Sequence, residues 1–144
     1  MEKIDILSVN ISEKKGTIKK AVDEITLNHH GVMEDAHAGP WHRQVSMLGQ
    51  ESIARFSEQA GRQIAFGEFA ENLTTRGLEL VKTAPLDRFR NKLIELEVTQ
   101  IGKECHGSSC AIFREVGNCV MLKEGIFARV IRQGSLKPGD ELEY

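Results

Sequence analysis

Cys105 is the residue in this chain best placed for chemistry. It lies in Gly102-Lys103-Glu104-Cys105-His106-Gly107-Ser108-Ser109-Cys110, directly after a run with strong β patterning. A thiol at a strand exit beside Lys103 and His106 suits thiolate chemistry or soft-metal binding, because nearby positive charge lowers a thiol pKa. Cys110, before Ala111-Ile112-Phe113, reads either as core or as reactive. Cys119, among apolar neighbours, reads as a half-buried thiol. Taken as metal ligands, the three give C-H-x3-C-x8-C, which is not a standard zinc spacing, so zinc is not expected.

A second concentration of polar chemistry runs from Gly31 to Ser46. It holds two glycines, the acid pair Glu34-Asp35, His37, His42, the chain's one Trp and Arg43. It is either a surface loop with turn hydrogen bonds or an anion pocket. In the second reading the Arg43 fork takes a phosphate, and glycine-flanked N–H groups approach the ligand. Glu71-Asn72 either closes a turn or bonds the polar edge of a heterocycle. No Walker-type or GxGxxG spacing occurs, and no Gly-x-Ser-x-Gly, so neither a nucleotide motif nor a serine-hydrolase elbow is supported. A Cys-His hydrolase is not established by two adjacent residues.

The elements that must carry these groups are short. Lys3 to Ile11 reads as a strand, with Ile4 and Ile6 on one side and Leu7, Val9 and Ile11 on the other. Ala21 to Leu27 reads as a second strand, His29 to His42 as a long loop and Arg43 to Leu48 as a short strand. Gln50 to Ala60 has helical spacing of Ile53, Phe56 and Ala60, with Gly61 as its stop. Leu78 to Val81 reads as a strand, and Leu93 to Ile101 is the clearest one. Gly125 to Ile131 is a further β-like run, with a short helix as the alternative. Leu136 to Leu142 is a Pro-Gly turn into a last strand. Six or more short strands with one good helix predict a mainly β domain, closed or nearly so.

The 144 residues suit one domain, 1–144, with a real core, and the net charge of −2 provides no field for nucleic acid or anionic membrane. Lys14-Lys15 and Lys19-Lys20 read as solvated loop faces. No apolar run is long enough to span a bilayer, the N-terminus is not patterned as a signal peptide, and three cysteines are odd in number. A reduced, cytoplasmic setting is the expectation. A small β domain also leaves homo-oligomerisation by edge pairing open.

The motifs, in order, resemble the MOSC domain, found at the C-terminus of molybdenum-cofactor sulfurases. They are Gly31-Val32-Met33-Glu34-Asp35-Ala36-His37-Ala38-Gly39, Arg43-Gln44-Val45-Ser46, Gly67-Glu68-Phe69-Ala70-Glu71-Asn72-Leu73, Val98 to Cys105, Glu124 to Val130, and Gly134 to Asp140. Each is weak alone; six in order from about Val9 to the C-terminus are specific. The Gly-Lys-Glu-Cys-His form is similar to stand-alone bacterial members. The resemblance implies a β-barrel-like fold with one or two short helices, binding a pterin-based molybdenum cofactor (molybdopterin). It places the family's characteristic Cys on Cys105, as a sulfur carrier or a molybdenum ligand. Arg43 would then hold the pterin's phosphate, and Asp35, His37, Glu71 and Asn72 would shape the pocket. The 144 residues hold no pyridoxal-phosphate desulfurase domain. Sulfur is therefore expected from a separate donor or a molybdopterin-processing protein. The N-terminal barrel part of the molybdenum amidoxime reductases is also missing from them. Cys110 and Cys119 depart from a one-Cys pattern and would serve as resolving thiols or second ligands. Three functions follow: cofactor binding or sulfur carriage, reduction of N-hydroxylated compounds with an electron-donor protein, or a non-catalytic interaction or structural zinc protein.

Overall fold

The computed structural model describes residues 2–14, 18–36, 38–102 and 124–144. Its strands are β1 (Lys3–Ile11), β2 (Lys20–Val22), β3 (Ile25–Asn28), β4 (Gly31–Val32), β5 (Val45–Gly49), β6 (Leu73–Arg76), β7 (Arg88–Arg90), β8 (Glu95–Ile101), β9 (Ile126–Arg132), β10 (Gly134–Leu136) and β11 (Glu141–Glu143). One helix, α1 (Gln50–Ala60), follows β5. Seven strands close into a barrel in the order β1-β11-β7-β8-β9-β5-β6, and β6 returns to β1. β2 extends the sheet beyond β1, and β10-β3-β4 form a separate three-stranded sheet.

All barrel neighbours are antiparallel except β5 and β6. A parallel pair cannot be joined by a hairpin, and the chain crosses over through α1. The helix forms where expected. Ile53 and Phe56 are buried, Phe56 meets Phe69 edge-on at 6.1 Å, and Gly61 ends the helix at φ 73°, its N–H bonded to Ser57 and Glu58 carbonyls.

Alternation fills the barrel. Val45 and Met47 of β5, Leu96 and Val98 of β8, and Ile126, Ala128 and Val130 of β9 enter the core. Each large aliphatic side chain so buried contributes about 1.5–3 kcal/mol. Strand β1 departs from simple alternation. A bulge between Ile6 and Ser8 shifts the register against β6, so Ile4, Ile6 and Val9 all point inward.

Several expectations are corrected. The single strand expected over Ala21 to Leu27 breaks at Asp23-Glu24, and its two parts pair with different sheets. The strand expected over Leu78 to Val81 is a 3-10 turn at Leu80–Lys82, closed by Thr83, whose hydroxyl donates to the Leu80 carbonyl at 2.7 Å. Lys19 is no solvated loop residue: it is 1% exposed, while Lys20 is open to solvent.

On the outer wall, Lys3, Glu143, Arg90, Glu95 and Arg132 stand in cross-strand register over β1, β11, β7, β8 and β9. Their charges alternate in sign, the arrangement favoured between directly opposed residues. No helix among the described residues is long and apolar enough to cross a membrane.

Candidate functional site

A second cross-strand row, elsewhere on the outer face of the barrel, organises the site. Gln100 is opposite Phe127, and Phe127 opposite Ser46. Asn72 donates its N–H to the Ser46 carbonyl at 3.0 Å, and Asn10 donates its own to the Asn72 carbonyl at 2.8 Å. The neighbours of these residues, Ile126, Ala128, Val45, Met47, Leu73 and Val9, fill the core. With period-two alternation the row itself faces outward. Loop residues 12–14, 18–19, 33–36, 38–44 and 62–72 cover it, which is why Asn10 and Asn72 are fully buried on an outer face.

At one end of the row, Asn72 Oδ1 accepts from the Ser46 N–H at 3.0 Å and its hydroxyl at 3.2 Å, and Asn72 Nδ2 donates to the Asn10 carbonyl at 3.1 Å. Asn72 therefore ties β5, β6 and β1 together. Beside it, Glu71 is wholly buried. Its Oε2 accepts from the Gly67 N–H at 3.0 Å and from the Thr74 hydroxyl at 2.7 Å, while Oε1 has no partner among the described residues. Burial pushes this carboxyl above its ordinary range, against the pull of those two hydrogen bonds. Gly67 sits at φ 90° against the Lys19 carbonyl, where only a residue without Cβ fits.

Asp35 is the centre of the covering loops. Its Oδ1 accepts from Lys19 Nζ at 2.8 Å and from the Ser12 N–H at 2.9 Å, and Lys19 also donates to the Ser12 hydroxyl at 3.1 Å. Both charged side chains of the pair are fully buried. Lys19 further donates its backbone N–H to the Gly67 carbonyl at 3.0 Å, so the clasp reaches the Glu71 loop. Gln44 closes the long loop on itself. It donates to the His29 and Gly39 carbonyls and accepts from the Val130 N–H at 3.0 Å.

At the other end stands Arg43, half-buried. Its Nε donates to Gln100 Oε1 at 3.1 Å, and its guanidinium carbon lies 6.0 Å from the Trp41 ring and 5.6 Å from the Phe127 ring. Both distances are within cation–π range. His42 Nε2 shares the same Gln100 oxygen at 2.8 Å. Gln100 Nε2 donates to the Gly102 carbonyl at 2.6 Å, and the Gly102 N–H to the Gly125 carbonyl at 2.7 Å. The return into β9 is held by Glu124, which accepts from the Ser52 hydroxyl of α1 at 2.8 Å and pairs with Arg55.

The structure thus gathers Asp35, Arg43, Glu71 and Asn72 around one row, with Asp35 and Asn72 bonded into the framework and Arg43 keeping both Nη groups without a partner among the described residues. Cys105, Cys110, Cys119 and His37 lie outside the described residues, and so do Lys103 and His106. Among the described residues no group of three His, Cys, Asp or Glu is placed to hold a metal ion. Sequence reasoning assigned no role to Lys19, Ser12 or Gln100. A buried lysine carries no sequence mark, but Gln100 stands in the motif that leads to Cys105.

The fold is shared with solved bacterial proteins. The chain is similar to the YuaD protein from Bacillus subtilis (TM-score 0.79, 17% identity, 97% of this chain and 94% of that one). It is also similar to YiiM from Geobacillus stearothermophilus (0.76, 22%, 96% and 73%) and YiiM from Escherichia coli (0.68, 25%, 99% and 69%). No curated protein matches its sequence. The family model described as the MOSC domain matches residues 34–143. That span contains Asp35, Arg43, Glu71, Asn72 and Gln100, together with all seven barrel strands except β1, and the chain belongs to the MOSC domain family.

Proposed function

We propose that this protein binds a molybdenum-bearing pterin cofactor and handles it, or its sulfur, through Cys105. The observation that supports this reading is Arg43. Its Nε is occupied and its Nη groups have no partner among the described residues, the arrangement that takes two oxygens of a phosphate at once. Through Gln100 it is joined to Gly102, three residues before Cys105 in the sequence. The described residues fit the phosphate end of such a cofactor and offer no metal set of their own. Ligation in this reading falls to Cys105, a soft thiolate. Bound molybdenum supplies two-electron, oxygen-atom-transfer chemistry.

The chain's own residues do the rest. Arg43 anchors and orients the anion. Asp35, Glu71 and Asn72 hold the covering loops, and His37 follows Asp35 by two positions in the sequence. As a carrier, the Cys105 thiolate attacks the terminal sulfur of a donor's persulfide. The donor leaves as its thiolate and Cys105 keeps the transferred sulfur, so no oxidant is needed. Cys110 or Cys119 would discharge it as a disulfide, releasing sulfide.

The test is metal and pterin content after expression in a host that makes the cofactor. Parent, Cys105→Ala and Arg43→Ala are compared. Molybdenum with pterin in the parent, loss of molybdenum in Cys105→Ala and loss of both in Arg43→Ala is the expected pattern. Zinc alone in the parent overturns it. Loaded protein that reduces a hydroxylamino purine with an artificial electron donor would identify the bound form as a reductase.

A further inference from the structure

Gln100 carries an amide whose orientation its neighbours fix. The Arg43 Nε–H is an obligatory donor, so the Gln100 atom 3.1 Å from it must be the carbonyl oxygen. The other end agrees, because the amide nitrogen sits 2.6 Å from the Gly102 carbonyl, an obligatory acceptor. Donor–acceptor matching then assigns the tautomer of His42. The same oxygen, which has no proton to give, lies 2.8 Å from His42 Nε2, so Nε2 must carry the hydrogen. In the neutral ring this leaves Nδ1 as an acceptor, and no described residue hydrogen-bonds it. The backbone of His42 is held as well, since its carbonyl accepts from the Thr99 hydroxyl.

We propose that Gln100 is the positioning residue of an oxyanion site made by Arg43 and His42. By taking Arg43 Nε and His42 Nε2 on one oxygen, it leaves the Arg43 Nη donors and the His42 Nδ1 acceptor without a partner among the described residues. That set complements a singly protonated phosphate group: two oxygens accept from the fork, and the P–OH donates to the imidazole. Trp41 and Phe127 support the guanidinium from its surroundings, 6.0 and 5.6 Å away, and Trp41 is partly exposed at the edge of the site. This inference rests on the reading of Arg43 as an anion anchor and adds what orients it. A carboxylate lacks the proton that Nδ1 would accept, so the site favours phosphate over acetate.

The test uses inorganic phosphate and 15N-labelled full chain, followed at the Arg43 Nε–H and the His42 ring nitrogens. In the parent, the Arg43 Nε–H is protected from exchange with water, and neutral His42 is in the Nε2–H form. Gln100→Leu loses both signatures and binds phosphate about ten-fold more weakly. Gln100→Glu keeps acceptor oxygens but adds a negative charge, so phosphate binding falls further. Arg43→Ala separates the two ideas. If it binds phosphate like the parent, Arg43 is no anion anchor and that reading fails. If binding needs Arg43 but Gln100→Leu stays within two-fold of the parent with the Arg43 N–H still protected, the positioning role fails. An Nδ1–H tautomer in the parent overturns the proposal without any variant.

Discussion

Replacing Lys19 by Met removes one charge of a fully buried pair and little volume. The perturbation is therefore electrostatic. At the 2.8 Å separation of Nζ and Oδ1, with an effective dielectric constant of about 20, the attraction is roughly 6 kcal/mol. Desolvation of the two ions opposes it by several kcal/mol each, so the intact pair adds little net stability. Losing one partner is different, because Asp35 then stays buried with its charge uncompensated by Lys19. The expected cost is about 3–5 kcal/mol. Asp35→Asn, which keeps an acceptor for the Ser12 N–H, strands the Lys19 ammonium and costs a similar amount. The double variant should return to within about 2 kcal/mol of the parent. Urea unfolding at neutral pH, with the slope checked for constancy, measures all four corners of the cycle. A Lys19→Met cost below about 1 kcal/mol, or a double variant as unstable as the sum of the singles, would refute a closed, dry clasp over the row.

Burial raises the Glu71 carboxyl above its ordinary value near 4.5, so its contribution to stability is complete below that value and is lost as pH rises through the folded one. Glu71→Gln, which supplies a donor at the unpartnered Oε1 position, should flatten this fall in a pH series of melting temperatures, and an unchanged slope would count against a protonated Glu71. Gly67→Ala should cost about 3 kcal/mol, since a Cβ there meets the Lys19 carbonyl at 2.4 Å with φ at 90°, and should speed proteolysis of the 62–72 loop. Gly61→Ala, with nothing near its Cβ, is the control and should cost about 1 kcal/mol. Leu86 holds φ 82° in the Ala84-Pro85-Leu86-Asp87 turn and is 74% exposed, so Leu86→Asn should stabilise by about 0.5–1 kcal/mol in the same urea assay.

What the sequence makes legible is what repeats along the chain. α1 is readable because Ile53, Phe56 and Gly61 keep helical spacing and a stop. β8 is readable because Leu96 and Val98 alternate with Glu95, Glu97 and Thr99, whereas β9, with Ile126, Phe127 and Ala128 buried in succession, is marked only by its apolar and β-branched content. β7 and β10 have three residues each, too few to carry a period, and β11, equally short, is legible only through the Pro138-Gly139 turn before it. The bulge in β1 is invisible: Ile6 and Val9 share a face only because β6 fixes the register on either side of it. In the site, Arg43 is legible by its chemistry. Lys19 reads like any lysine, because its burial depends on Asp35 arriving from another loop. Gln100 is an ordinary amide until three partners converge on it.

The pairing of β1 with β11 sets an order on how the barrel is made. It joins Lys3–Asp5 to Glu141–Glu143, and the Tyr144 N–H donates to the Glu2 carbonyl at 2.9 Å. The seam thus lies between strands about as far apart as these residues allow, a contact whose loop-closure cost falls due before its reward. During synthesis β1 can pair with β2 early but must wait for β11 until the rest of the barrel has left the ribosome. Through that interval the Lys3–Asp5 stretch of the edge that β2 also uses is open, and the opposite charges of Lys3 and Asp5 there discourage pairing with a neighbouring nascent chain. The closed seam also brings residues 2 and 144 side by side, so a permuted chain joined there and cut in an exposed turn such as 137–140 would keep every barrel pairing.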